Sequence, residues 1–119
     1  MPEGFVLAFE LFSRGDITEA CGRIRSEVEE HRRAYPDLEQ RLNRLGYRYL
    51  RGGENTAALE VFLLNVELFP DSYNVYDSYG EALMVEGKID SAIANYRRSL
   101  ELNPENRNAA RVIERLSNL

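Results

Sequence analysis

The residues best suited to chemistry in this 119-residue chain are few, and their spacing does not assemble a catalytic site. His31 is the only histidine, and in "EVEEHRR" it lies among charged residues, so the sequence predicts a solvated side chain on a helix surface. Glu29 and Glu30 cannot join it in a metal site, because adjacent helical positions point to different sides of the helix. We therefore expect no metal, no cofactor and no enzyme activity in this chain.

The lone cysteine supports the same expectation. Cys21 cannot close an internal disulfide, and next to Ala20 it is interpreted as a small core residue rather than a nucleophile. Neither S-x-x-K nor G-x-S-x-G, two motifs that carry a serine nucleophile, occurs in the sequence. The composition therefore favours binding over catalysis.

Charge and hydropathy restrict the partners. The formal net charge of −5 argues against a general surface for nucleic acid or anionic membrane, and we expect neither partner. The longest apolar run, "FVLAFELF" at 5–12, is too short to span a bilayer and contains Glu10. With no signal or membrane segment evident, a cytoplasmic location is the default expectation.

A row of arginines is the most regular charged feature. Spacings of three, four and three residues place them along one side of a helix, where they could receive an acidic segment or a carboxylate. The alternative, which the sequence favours, is that they pair with acids of the preceding segment such as Glu27 and Glu30, or are solvated. The row consists of Arg41, Arg44, Arg48 and Arg51.

The elements that must position these residues recur at a fixed spacing of 34. The pattern is large-x2-large-Gly-x2-large, then Ala-x3-aromatic, then Pro. Its first copy comprises Leu42, Leu45, Gly46, Tyr49, Ala58, Phe62 and Pro70, and its second Tyr76, Tyr79, Gly80, Leu83, Ala92, Tyr96 and Pro104. Two antiparallel helices approach closely where side chains are small, which explains a glycine inside each first helix despite its cost of roughly 0.5–1 kcal/mol.

This pattern resembles the tetratricopeptide repeat (TPR), a helix-turn-helix unit. The resemblance implies an all-α solenoid of three hairpins and a C-terminal capping helix, formed by a single domain over 1–119. The predicted units are a degenerate first repeat at 1–36, repeats at 39–72 and 73–106, and a cap at 107–119. Predicted helices cover 3–13, 17–34, 38–51, 55–68, 73–86, 90–102 and 107–117.

The first repeat departs from the period. Leu11 and Ala20 precede their counterparts Tyr49 and Ala58 by one period plus four residues. Four residues make about one helical turn. We therefore predict that the second helix of this unit is one turn longer and runs unbroken over 17–34.

The resemblance also implies a binding surface. In TPR domains the first helix of each hairpin lines a concave groove, which suits an extended peptide or a partner helix. The residues here do not match the lysine and asparagine set with which some TPR domains clamp a terminal carboxylate. The corresponding positions are Gln40, Asn43, Tyr47, Leu50, Arg51, Asn74, Asp77, Glu81 and Met84.

The first helix suggests a second interface. Phe5, Phe9 and Phe12 belong to an apolar surface that covers more than half its circumference. An upstream domain, a homodimer or a merely apolar terminal helix would each account for it.

A narrower resemblance concerns residues 42–106, which look like the TPR tail found after the catalytic domain of bacterial serine hydrolases of the beta-lactamase-like group. The function predicted first is a non-catalytic protein interaction scaffold. The alternative is a structural or dimerisation tail of such a hydrolase, packing through helix 3–13. The identity of the ligand does not follow from the sequence.

Overall fold

The computed structural model describes the backbone of residues 3–119 and the side chains of residues 8–119. Within this part of the chain the secondary structure is helical, with no strand. In chain order the helices are α1 Glu3–Ser13, α2 Ile17–Ser26, α3 Val28–Ala34, α4 Leu38–Arg51, α5 Asn55–Leu68, α6 Tyr73–Val85, α7 Ile89–Leu102 and α8 Arg107–Ser117.

The helices pack as successive antiparallel hairpins. α1 pairs with α2, α4 with α5 and α6 with α7, while α8 covers α7 at the end of the array. Successive hairpins stack mainly through α5, which packs against α2 of the preceding hairpin and against α6 of the following one. The resulting body is elongated, with extents of 48 × 27 × 18 Å. The predicted all-α solenoid is confirmed.

One glycine ends the first helix of each of the three hairpins. Gly15, Gly53 and Gly87 have φ of 84°, 78° and 79°, in the left-handed region that glycine enters without penalty. In each case two backbone bonds close the helix end in a Schellman arrangement. Asp16 N–H donates to Leu11 O, Glu54 N–H to Tyr49 O and Lys88 N–H to Leu83 O, all at 2.9 Å.

The prediction of one helix over 17–34 is wrong. The chain breaks at Glu27, whose φ of −123° and ψ of 40° are not helical. The break redirects α3, so that Val28 and Tyr35 pack against the core formed by α1, α2, α4 and α5. The additional turn in this unit therefore changes the direction of the chain instead of lengthening one helix.

The prediction of a solvated His31 is also wrong. Its side chain is fully buried, and ring Nδ1 lies 2.6 Å from the backbone oxygen of Glu27. The imidazole thus contacts the residue at which α2 and α3 separate. Charged neighbours in the sequence conceal this burial, because they occupy the other sides of a short helix.

In each of two successive hairpins, a buried polar side chain at an equivalent position joins the two paired helices. Asn65 Nδ2 donates to Glu39 O at 3.0 Å, and Ser99 Oγ donates to Tyr73 O at 2.8 Å. Each donor lies on a second helix, and each acceptor lies in the first turn of the helix paired with it. These bonds fix the pairing of α4 with α5 and of α6 with α7.

Candidate functional site

Polar side chains connect α4 and α6 across the predicted groove. Ser78 Oγ donates to Asn43 Oδ1 at 2.6 Å, and Tyr47 Oη lies 3.4 Å from Glu81 Oε1. The structure therefore brings together three of the residues predicted for the groove. Ser78 joins them as a buried residue that the sequence analysis missed, although its place one turn before Ala82 puts it on a side of α6 with small residues.

Asp77 faces the start of α8. Its Oδ2 accepts a hydrogen bond from Asn106 Nδ2 at 3.0 Å, and its Oδ1 lies 3.5 Å from Asn108 Nδ2. Asn106 is also the N-cap of α8, since its side chain accepts from Ala109 N–H at 3.2 Å. Asp77 thus helps to hold the capping helix in place.

The other predicted groove residues differ in their surroundings. Gln40 and Asn74 are exposed, whereas Leu50 and Met84 are half-buried against the apolar clusters below them. The guanidinium of Arg51 lies 5.7 Å from the centre of the Tyr47 ring, a distance at which a cation and an aromatic face attract each other.

Tyr47 is the aromatic centre of this surface. Its ring is half-buried and meets Phe62 edge-on, with centroids 5.1 Å apart and an interplanar angle of 71°. Burial raises the pKa of the Tyr47 hydroxyl above its ordinary value. A cavity of about 490 Å³ opens beside the ring, lined by Asn43, Arg44, Tyr47, Arg48 and Arg51.

The arginine row of α4 is exposed, and its ionic partner differs from the expected ones. Arg41 Nε lies 3.0 Å from Asp37 Oδ1, and an Arg44 nitrogen lies 4.0 Å from the other oxygen of the same carboxylate. The hydrogen bond from Arg41 holds the pKa of Asp37 below its usual range. The guanidinium of Arg41 also stacks on the Tyr35 ring at 4.5 Å. Glu27 and Glu30 make no ion pair with these arginines among the residues that the structure describes.

Part of the apolar face predicted on α1 is buried in the core. Phe12 is only 4% exposed and packs among buried residues of α2 and α4, so it is not available to an external partner. Phe9 is half-buried, with its ring centroid 5.7 Å from Phe12 and 5.3 Å from Tyr35. The third residue of the face, Phe5, has a side chain outside the described residues.

Cys21 is buried, as predicted, and burial raises the pKa of its thiol to about 11. Among residues 8–119 no group of His, Cys, Asp and Glu has the proximity that a metal ion requires. None of the described helices combines the length and the apolar content needed to cross a membrane.

Comparison with known proteins shows the fold. No protein-family profile matches the chain. A segment of 62 residues, 52% of the chain, is 31% identical to human Superkiller complex protein 3, and it spans 4% of that protein's length. The structure of the first TPR of Spaghetti (RPAP3) bound to HSP90 peptide SRMEEVD matches with a TM-score of 0.65 and 23% identity, covering 97% of this chain and 88% of that one.

A crystal structure of MamA matches with a TM-score of 0.64 and 21% identity, over 99% of this chain and 64% of that one. The fold is therefore a TPR-type helical solenoid. The narrower resemblance to hydrolase tails gains no support from these relatives and remains a prediction.

Proposed function

We propose that this chain is a non-catalytic interaction module that binds an extended peptide or a partner helix across α4 and α6. The observation that carries the proposal is the open cavity of about 490 Å³ beside the half-buried ring of Tyr47. Amide and guanidinium groups surround this ring, which gives a ligand one apolar anchor point and several polar contacts.

The arrangement of Tyr47 favours binding. Contact with Phe62 on one side and Glu81 near its hydroxyl restricts the ring before any ligand arrives. A side chain already ordered loses little further conformational entropy when a partner packs on it. Aromatic residues of this kind, surrounded by polar groups, often supply most of the binding energy at an interface.

The solved relative with a bound HSP90 peptide supports a peptide as the class of ligand. The side chains differ from a lysine-based clamp for a terminal carboxylate. The chain has a single lysine, Lys88, and it lies in the turn before α7 rather than on α4 or α6. We therefore propose internal, extended or helical segments as ligands, rather than free C-termini.

The test is a peptide display selection against the chain, followed by titration of the selected peptides. Tyr47→Ala should weaken binding by roughly 1–3 kcal/mol, about 5- to 150-fold, because the anchor is lost. Arg97→Ala is the matched control, since Arg97 is exposed on α7 and should leave affinity within about twofold. Equal affinities for both variants would remove the groove from the proposal.

A second candidate is docking through α1, as in a dimer or against an upstream domain. The half-buried Phe9 on α1 supports it, while the burial of Phe12 limits the apolar area available. Sedimentation at high concentration tests the homodimer. A monomer would exclude self-association. A dimer that dissociates when Phe9 is replaced in the Phe9→Ser variant would support docking through α1.

A further inference from the structure

The first helices of successive hairpins can be compared position by position, one repeat period apart. On α6 the residues Val75, Ser78 and Ala82 are 1%, 2% and 0% exposed. Ser78 bonds to Asn43 of α4, and Ala82 packs with Ala58 and Phe62 of α5, so this side of α6 is covered by the preceding hairpin. In a regular solenoid the equivalent side of every first helix is covered in this way by the preceding hairpin.

The capping helix obeys the same rule. One repeat period further along the chain, Ala109, Val112 and Leu116 are 0%, 6% and 6% exposed, because α8 packs against the hairpin before it. The positions are small or apolar in both helices, as burial between two helices requires.

On α4 the equivalent positions are Arg41, Arg44 and Arg48, and all three are exposed. We call this set the arginine face. The side chains of Arg41 and Arg44 are 43% and 65% exposed. The side of α4 that should be covered by the preceding hairpin is therefore open to solvent and carries three cations.

The altered first unit accompanies the opening. The chain breaks at Glu27, and α1 packs against α3 as well as against α2. A recess of about 170 Å³ remains between α1 and α4, lined by Phe9 and Leu45 together with the arginine face. Arg44 and Arg48 also line the larger cavity beside Tyr47, so the two spaces share a wall.

The charge of the arginine face is only partly compensated. Among the residues that the structure describes, Asp37 is the one carboxylate within ion-pair distance of Arg41 and Arg44, and Arg48 has no ion pair. This cationic strip stands out in a chain whose formal net charge is −5. Guanidinium groups spaced along one helix side match carboxylates presented at the same spacing.

We propose that an acidic peptide segment docks along the arginine face, where it takes the place of the helix that a regular repeat would supply. Carboxylates three or four residues apart would pair with the arginines, and one apolar side chain would enter the recess at Phe9 and Leu45. The inference names the chemistry of one partner and rests on the proposed role as an interaction module.

The probe is a fluorescein-labelled synthetic helical peptide that carries three Glu at i, i+4 and i+7 and one adjacent Leu. Arg44→Glu with Arg48→Glu should weaken its binding at least about 10-fold and flatten the salt dependence. Arg44→Gln with Arg48→Gln should act in the same direction without adding like charges. The matched control is Arg97→Glu with Arg111→Glu, which changes net charge equally at exposed positions elsewhere and should stay within about twofold. Circular dichroism of each variant establishes that it is folded.

Several outcomes would overturn the inference. These are absence of binding, equal affinity of the Gln and control variants, or equal affinity of a peptide with Gln in place of Glu. A single-stranded oligonucleotide that binds as tightly through the same arginines would assign the face to nucleic acid instead.

The experiment separates this inference from the groove proposal. Selected peptides that lose affinity with Tyr47→Ala but not with the arginine-face variants would support the groove. If the acidic probe also keeps its affinity for the arginine-face variants, the inference is overturned. An acidic probe that depends on Arg44 and Arg48, together with selected peptides indifferent to Tyr47→Ala, would support the inference and overturn the groove.

Discussion

Gly80 lies against the ring of Tyr96 so closely that a Cβ built on the glycine would be 3.0 Å from both Cδ2 and Cε2 of the tyrosine. Gly46 meets Phe62 in the same way, and its Cβ would be 2.6 Å from Cζ. The two glycines therefore do permit close packing within each hairpin, as predicted. The group that fills the space is the aromatic ring of the second helix.

Adding a side chain at these glycines should destabilise the protein. Gly80→Leu should lower the free energy of unfolding by about 1–3 kcal/mol or more through overpacking, although leucine is the better helix former. Gly46→Ala should cost more than Gly80→Ala, because its Cβ would approach the ring more closely. Denaturant unfolding followed by circular dichroism measures each change.

Gly22 provides the matched control for these substitutions. It is exposed on α2, and a Cβ there would meet nothing within 4 Å. Gly22→Ala should therefore stabilise the protein by about 0.5–1 kcal/mol through helix propensity alone. If Gly46→Ala raised stability as Gly22→Ala does, the close contact with Phe62 would be refuted.

Ser99 should be essential to the pairing of α6 with α7. Its buried hydroxyl donates to Tyr73 O at 2.8 Å and accepts from Asn106 Nδ2 at 2.9 Å. Ser99→Ala should cost about 1–3 kcal/mol of unfolding free energy, because both partners lose a hydrogen bond. Ser91→Ala, at an exposed position on the same helix, should change stability by less than about 0.5 kcal/mol. Equal effects of the two substitutions would contradict this role.

His31 distinguishes the structure from the interpretation based on sequence. A solvated histidine could be replaced without effect, whereas the buried ring beside Glu27 O should be costly to remove. We expect His31→Ala to lower the free energy of unfolding by about 1–3 kcal/mol or more. Arg33→Ala, exposed in the same short helix, serves as the control and should be nearly neutral. Thermal melts of both variants decide between the two pictures.

Cys21 should be unreactive until the protein unfolds. Burial raises the pKa of its thiol from 9.0 to about 11, so the folded chain keeps a proton that the unfolded chain releases near pH 9. The contribution to stability is complete below pH 9 and is lost as the pH rises to about 11. A thiol-specific disulfide reagent at pH 8 should modify the native protein about 100-fold more slowly than the urea-unfolded chain. Similar rates in both states would refute the buried site.

The architecture could be derived from the sequence because its signals are local and repeated. The constant repeat period, an aromatic side chain four positions after each alanine and a glycine at each hairpin turn determine where helices pair and end. Gly53 and Gly87 close their helices with the same backbone bonds, which is why neither boundary needed tertiary information.

Only the tertiary structure decided the character of the first unit and the α4 surface. The four additional residues could lengthen a helix or redirect the chain, and the choice depended on whether His31 and Tyr35 found a core to join. Whether Arg44 and Arg48 were covered depended in turn on where α1 lay relative to α4. Contacts between distant segments set both outcomes, and the periodicity within a single helix carries no information about them.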